Sequence, residues 1–373
     1  MRSGHAAEAP LTALLKREMA DSPRQAIPFR DYMQRCLYEP EIGYYNRPAV
    51  KIGKEGDFYT SASVGGVMGL ALAAWIARLA GDGNEPLSLV EWGGGTGALA
   101  AQTLDALQTG YGDVYGRLSF TAIESSPTHR SVMLAQLERH AAKLRFADGG
   151  EWQRERDGMR TIVYANELLD AFPVHRVRRR GDTLCELYVG WDEADGRFAE
   201  RELPCEDERL PRYLERHGIA LADGQTADIN LAAPAWIEAV LGRIACGHLV
   251  TIDYGDTADE LYAPHRMNGT LLCYRRHLAH DDPYVAPGEQ DMTAHVDFTA
   301  CVAAGIDAGV DEWTLQTQRA FLEGGGLLDL LRDHDGRDPF SPAARRNRAI
   351  RQLLLSDRMS ESFKVLIQKK RGE

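Results

Sequence analysis

The sequence contains no C-x-x-C pair; its six cysteines, Cys36, Cys185, Cys205, Cys246, Cys273 and Cys301, are widely scattered. That spacing excludes a zinc ribbon and a thioredoxin-type redox site and fits small apolar core residues in a reducing compartment. Basic residues are in deficit, 43 against 55 acidic ones, for a net charge of −12. Such a chain repels a phosphate backbone, so no nucleic-acid partner is expected. No apolar run approaches the roughly 18 residues of a membrane span. The opening "MRSGHAAEAPLTALLKREMADSP" carries Glu8, Glu18 and Asp21 and has no apolar signal core. No membrane insertion and a cytoplasmic location are the expectations. Repeats and low-complexity tracts are absent as well, and 373 residues suffice for one elaborated domain or two ordinary ones.

What is present is an alternation of short apolar runs with helical stretches. Strands are predicted at 87–92, 119–124, 160–165 and 248–254, and helices at 98–107 and 128–140 separate the first three. That order implies an α/β fold with a parallel sheet covered on both faces. Residues 9–40 read as helical with breaks, Pro28 fitting a helix start, and residues 64–80 as a helix apolar nearly all round, hence buried. The segment 174–204 alternates in polarity around Gly181-Asp182 and Asp195-Gly196, which predicts an antiparallel meander inserted into the core. A helix at 233–245 then returns to the sheet. Beyond the fourth strand, a strand at 269–277, a helix at 299–308 and helices over 327–358 are expected. Strands at 312–318 and 362–369 close the sheet as an antiparallel pair.

The run "LVEWGGGTGALA", residues 89–100, turns a strand into a helix through four glycines. A P-loop needs Lys-Ser/Thr after the turn; Ala98 and Leu99 follow Gly97, so NTP binding fails. The dinucleotide pattern is met by Gly93, Gly95 and Ala98, with Glu124 at the end of the next strand as a ribose ligand. An acidic-x-Gly-x-Gly-x-Gly pattern is met by Glu91, Gly93, Gly95 and Gly97. Its strand carboxylate suits the ammonium and sulfonium of S-adenosyl-L-methionine and would repel a pyrophosphate. Glu91 therefore favours that cofactor, while the dinucleotide reading stays open.

A second constellation, "TIVYANELLDAFPVHRV", ends a strand at Asn166 and Glu167 and continues to Asp170. In an open α/β sheet these residues point into the crevice that holds the glycine turn. A helical turn after Asn166 would place Glu167 and Asp170 on one face, where two carboxylates suit a cationic guanidinium or act as a base. His295 and Asp297 in "DMTAHVDF" are further site candidates, although Asp297 fits a helix cap and His295 an interior histidine. "HRVRRR" (175–180) offers a grip for an acidic partner or a solvated strand face. Tyr44 and Tyr45 offer an aromatic clamp or core packing.

The segments "FRDYMQRCLYEPEIGYYN", "GDFYTSAS", "VEWGGGTGALA", "ANELLDAFPVHR", "VTIDYG", "DMTAHVDF" and "FKVLIQKK", in this order, resemble the MidA-like family of S-adenosylmethionine-dependent methyltransferases. The likeness runs from about residue 29 to 370. It implies a Rossmann-like, seven-stranded class I methyltransferase core and, as in the mitochondrial members that act in respiratory complex I assembly, a protein arginine substrate. A small-molecule methyltransferase, a non-catalytic cofactor-binding assembly factor and an NAD-dependent oxidoreductase are the alternatives. Carried over by position, cofactor contacts fall on Glu91, Gly93, Gly95, Gly97 and Glu124, and on Gly56, Asp57, Thr60 and Ser61 of the "GDF" segment. Catalytic roles fall on Asn166, Glu167 and Asp170, and no metal is required. The implied division is an N-terminal helical lid (1–85), the first part of the core (86–173), the antiparallel cap (174–232) and the second part of the core with a helical insertion (233–373). Two positions depart from the family's usual Gly-Pro-Gly-Arg-Gly turn, Gly94 and Thr96, and Ala62–Gly65 replace a usual Pro-Glu-Ile-Ser.

Overall fold

A computed structural model describes residues 8–47, 66–155, 158–333, 338, 340–355 and 362–372. Its centre is an eight-stranded sheet. From one edge run the strands Leu144–Phe146, Leu118–Ile123, Leu87–Trp92, Arg160–Asn166 and Cys246–Asp256, all parallel. Phe363–Lys370 then pairs antiparallel with Cys246–Asp256, and Glu312–Thr317 pairs antiparallel with Phe363–Lys370. The two-residue strand Val296–Asp297 adds to the far end of Cys246–Asp256.

Period-two alternation divides the strand side chains between two cores. Leu87, Leu89, Ile162 and Val250 face the helices Val67–Ala80, Ala98–Gly110 and Pro342–Leu355, while Val90, Val163 and Leu249 face Ala232–Arg243 and Phe298–Asp307. The near-uniform apolarity of Val67–Ala80 is explained by its surroundings, since Val67, Met68, Ala71, Leu72 and Ile76 are all buried. No described helix is long and apolar enough to cross a membrane.

The chain leaves Leu87–Trp92 toward one edge of the sheet and returns to pair on its other side with Arg160–Asn166. Strand order therefore reverses between these two strands, and a crevice opens at their carboxyl ends. The first four predicted strands agree with the observed ones to within two residues at either end, and the C-terminal pair closes the sheet as expected.

The meander is formed by His175–Arg180, Thr183–Asp192 and Arg197–Pro204. It belongs to a five-stranded sheet completed by Thr226–Ile229 and by Ala26–Pro28, whose Ile27 lies opposite Val189. This N-terminal strand lies within the region read as helical; it joins the helices Pro10–Asp21 and Phe29–Tyr38 to the insertion through a shared core of Leu15, Phe29, Tyr32, Val189 and Phe198. The strand expected at 269–277 is shorter, Leu272–Arg275, and lies in a separate three-stranded sheet with Leu278–His280 and Asp291–Thr293. Within 327–358 the described structure is a 3-10 turn, Leu327–Leu330, and the helix Pro342–Leu355.

Candidate functional site

Glu91 lies one residue before the end of its strand, opposite Ala122 on one side and Tyr164 on the other. The next residues turn sharply, with φ of 74° at Gly93 and 79° at Gly97. These are left-handed conformations that only glycine adopts freely. At Gly97 space favours glycine as well, since a Cβ would lie 2.6 Å from Met133 Cγ and 3.2 Å from its Cα; at Gly93 the nearest atom, Leu168 Cδ1 at 2.8 Å, is a side-chain end that can shift. Gly97 caps the helix Ala98–Gly110 without any side-chain bond to its first amides. An open helix N-terminus thus faces the crevice.

The Glu91 side chain is almost wholly buried, and its Oε2 has no hydrogen-bond partner among the described residues. Burial pushes its carboxyl up to about 8; the Tyr164 hydroxyl opposes this and the Glu124 charge adds to it. Although near, the Tyr164 hydroxyl makes no well-formed hydrogen bond with it. A buried acid without a partner is costly, on the order of several kcal/mol, and its retention points to a cationic ligand. A Cβ at Gly94 would fall 2.2 Å from the same oxygen, so the glycine leaves Oε2 approachable. These features fit a cofactor with an amino-acid ammonium.

Glu124, just past Leu118–Ile123, is buried and bound to the turn. Its Oε2 accepts from the Gly95 N–H at 2.8 Å and its Oε1 from the Ser126 N–H at 2.7 Å. The carboxylate therefore ties the glycine turn to the neighbouring loop. Two of its roughly four acceptor positions remain for a ligand.

Across the crevice, Arg160–Asn166 ends without the helical turn expected there. Glu167 takes φ 52°, and its N–H donates to the Ile252 carbonyl at 2.9 Å, so the chain turns away from a helix at the outset. Glu167 and Asp170 are brought together by this irregular turn instead. Asn166 Nδ2 donates to Glu167 Oε1 at 3.1 Å. Asp170 is buried, and its carboxyl is pushed well above the ordinary range, first by burial and then by Asp253, Glu167 and Asp291.

Three elements that the sequence reading did not place here complete this side. Asp253, fully buried, accepts from the amides of Leu168, Leu169 and Asp170. Asp291 accepts from the Tyr45 hydroxyl at 2.7 Å. The Tyr38 hydroxyl donates to the Ala171 carbonyl at 2.9 Å, and its ring lies 5.4 Å from that of Tyr45. Tyr45 thus belongs to the acidic side of the crevice, whereas Tyr44 packs in the N-terminal core.

The remaining candidates separate clearly. Asp297 caps the helix Phe298–Asp307: its Oδ1 accepts from Thr299 and Ala300, and its Oδ2 from the Tyr213 hydroxyl at 2.7 Å. Its role is structural. Asp297→Ala is expected to lose the cap, about 1 kcal/mol, and to orphan a buried hydroxyl, about 1–3 kcal/mol. Chemical denaturation should register this, with S-adenosylhomocysteine affinity unchanged by calorimetry. His295 is half-buried and stacks on Tyr254 at 6.3 Å. Arg176, Arg178 and Arg180 pair with Asp228, Glu200 and Glu202, so the "HRVRRR" charge is largely balanced within its own sheet. Gly56, Asp57, Thr60 and Ser61 lie outside the described residues.

Comparison with known proteins agrees with this geometry. Residues 69–314 match the family described as "Putative S-adenosyl-L-methionine-dependent methyltransferase". A Burkholderia thailandensis protein, solved bound to S-adenosyl-homocysteine, is 33% identical, with a TM-score of 0.86 over 99% of this chain and 95% of that one. The Drosophila melanogaster protein arginine methyltransferase NDUFAF7 homolog, mitochondrial, is 27% identical over 73% of this chain. The chain spans 65% of that relative's length. The Mus musculus protein arginine methyltransferase NDUFAF7 is 27% identical over 82% of this chain and 73% of its own. With its glycine turn, its unpartnered strand acid and a family match over well more than half its length, this chain belongs to the S-adenosyl-L-methionine-dependent methyltransferase family so described.

Proposed function

We propose that the protein transfers a methyl group from S-adenosyl-L-methionine to a nitrogen of a protein arginine side chain. The observation that carries this reading is the pairing, across one crevice, of an unpartnered Glu91 beside a glycine turn with an acidic wall of Glu167 and Asp170. The names of the arginine-methylating relatives support the choice of acceptor. The strand order, with its antiparallel C-terminal pair, supports a class I methyltransferase core, and the five-stranded sheet with its N-terminal strand reads as the cap above it.

Bound at this site, the cofactor supplies an electrophilic methyl group on a positively charged sulfur. Glu91 would take its ammonium, the open first amides of the helix Ala98–Gly110 its carboxylate, and the free acceptor positions of Glu124 its ribose hydroxyls. On the opposite wall, Asn166 holds Glu167 so that its carboxylate can receive guanidinium N–H bonds and present one nitrogen in line. When that nitrogen gains a methyl group it must lose a proton; Glu167 is placed to accept it, and the neighbouring Asp170 adds to the negative field. Asp170 is buried and Glu167 partly so, which limits competition from water.

Two measurements test the assignment together. S-adenosylhomocysteine should raise the melting temperature and NADH should not. Tritium from methyl-labelled S-adenosylmethionine should appear in lysate protein and, after acid hydrolysis, in methylarginine. Stabilisation by NADH alone would favour an oxidoreductase. Cofactor binding with no label in any lysate protein or small amine would indicate a non-catalytic binding factor, and label confined to small amines would move the acceptor to a small molecule.

A further inference from the structure

We propose that Asp253 is a positioning residue for methyl transfer: its carboxylate fills a nest of three successive amides and so fixes the turn that carries Glu167 and Asp170. The inference rests on the reading of those two residues as the acceptor side. Asp253 lies on Cys246–Asp256, the strand beside Arg160–Asn166, with Ile252 opposite Asn166. One carboxylate oxygen, Oδ2, accepts from Leu168 N–H at 3.1 Å, Leu169 N–H at 2.8 Å and Asp170 N–H at 3.4 Å. The other, Oδ1, accepts from Tyr254 N–H at 2.9 Å.

Consecutive amides converging on a point make an anion-binding concavity. Left open beside the acceptor crevice, it would draw in anionic groups and compete with a guanidinium. Filled by a buried carboxylate from the neighbouring strand, it no longer competes with Glu167 and Asp170 for the acceptor. Asp253 itself is fully buried, so it acts through the turn and does not touch the substrate.

The turn needs such a clamp. Glu167 stands at φ 52°, a conformation that is strained for a residue with a Cβ and persists only where surroundings over-determine it. Asp253 supplies three of those restraints. The Glu167 N–H to Ile252 carbonyl bond at 2.9 Å, the Ala294 N–H to Asp170 carbonyl bond at 2.9 Å and the Asn230 amide on the Leu169 carbonyl at 2.9 Å add to them. None of these groups belongs to the glycine turn. Although the Leu168 side chain lies beside Gly93, loss of the clamp should therefore damage transfer far more than cofactor binding.

The test compares Asp253→Asn and Asp253→Ala in the full chain, using a synthetic glycine-arginine peptide as acceptor, S-adenosylhomocysteine calorimetry, and hydrogen exchange at residues 168–170. Asparagine keeps one oxygen for the three amides but turns its NH2 toward the Tyr254 N–H, so partial rescue is expected. Asp253→Ala should lower kcat at least a hundredfold and Asp253→Asn by roughly tenfold, with S-adenosylhomocysteine affinity within threefold of the parent in both. Exchange at 168–170 should accelerate in the same order. If alanine does not fold, the asparagine variant alone decides the matter. Parent-like kcat, or cofactor affinity falling in step with kcat, would overturn the proposal. If the parent binds S-adenosylhomocysteine but methylates no peptide, the arginine reading fails separately; unchanged exchange at 168–170 in Asp253→Asn would then overturn the clamp as well.

Discussion

Glu91→Gln is expected to melt higher than the parent at pH 8 and to bind S-adenosylhomocysteine on the order of a hundredfold more weakly. Both effects come from one buried carboxyl. In the folded protein burial raises it from an ordinary 4.5 to about 8, so the folded chain keeps a proton that the unfolded chain has lost across that window. Stability from this group is therefore present at low pH and is lost as pH rises from about 4.5 to 8, at about 1.4 kcal/mol for each unit of pH. Glutamine never ionises, so the advantage of the variant should be small at pH 5 and grow toward pH 8. The same substitution removes the only charge on the strand end that can meet a cationic ligand; truncating one partner of a buried charge pair costs about 2–5 kcal/mol. Melting scans from pH 5 to 8 and titration calorimetry check the pair of results. In the parent, affinity should rise with pH up to about 8 as Glu91 ionises, and the variant should lose that rise. Parallel melting curves at every pH, or unchanged affinity, would contradict the role given to Glu91.

Glu167→Gln is expected to lower kcat for an arginine peptide by a factor of about 10²–10³, the range for loss of a positioned base. Cofactor affinity should stay within a few-fold of the parent. The substitution keeps the side chain's length and its link to Asn166 Nδ2, and it leaves intact the backbone bond from residue 167 to the Ile252 carbonyl. What it removes is the negative charge facing the acceptor and the group that takes the leaving proton. Asp170 shapes the pH profile of the parent, because burial and its acidic neighbours hold its carboxyl well above the ordinary range. As pH rises through that raised value the site becomes more negative, so transfer should climb with pH beyond the usual carboxylate range. Steady-state rates against pH for parent and variant measure both effects. A variant with parental kcat and a changed cofactor affinity would place Glu167 on the wrong side of the crevice.

Much of the frame was legible because it depends on short spacings. Short apolar runs between helical stretches marked the parallel strands, and glycines before a small-residue helix marked the turn from Trp92 to Ala98. Glu91 stood out because an acid in an apolar strand lacks any other local account, and its Oε2 has no hydrogen-bond partner among the described residues. The misreading of residues 167–170 as helical has a definite cause. The sequence shows Glu167 and Asp170 three apart, but a clamp from Asp253, 83 to 85 residues away, bends the chain otherwise. A positive φ at a glutamate leaves no compositional trace, unlike one at a glycine. The Tyr45–Asp291 bond joins residues 246 apart, and the Tyr38 bond to Ala171 spans 133. Such pairs arise from the closing of the N-terminal region onto the insertion and the sheet ends, which spacing within one segment does not record.

The most direct test of the account is a crystal structure of the full chain grown with S-adenosylhomocysteine and a glycine-arginine peptide. Ligand density is expected in the crevice between residues 91–97 and 166–170, with the amino-acid ammonium at Glu91, the ribose at Glu124, and the sulfur directed toward a guanidinium held by Glu167. Ligand bound elsewhere, or bound in the crevice with its sulfur facing away from Glu167 and Asp170, would contradict it.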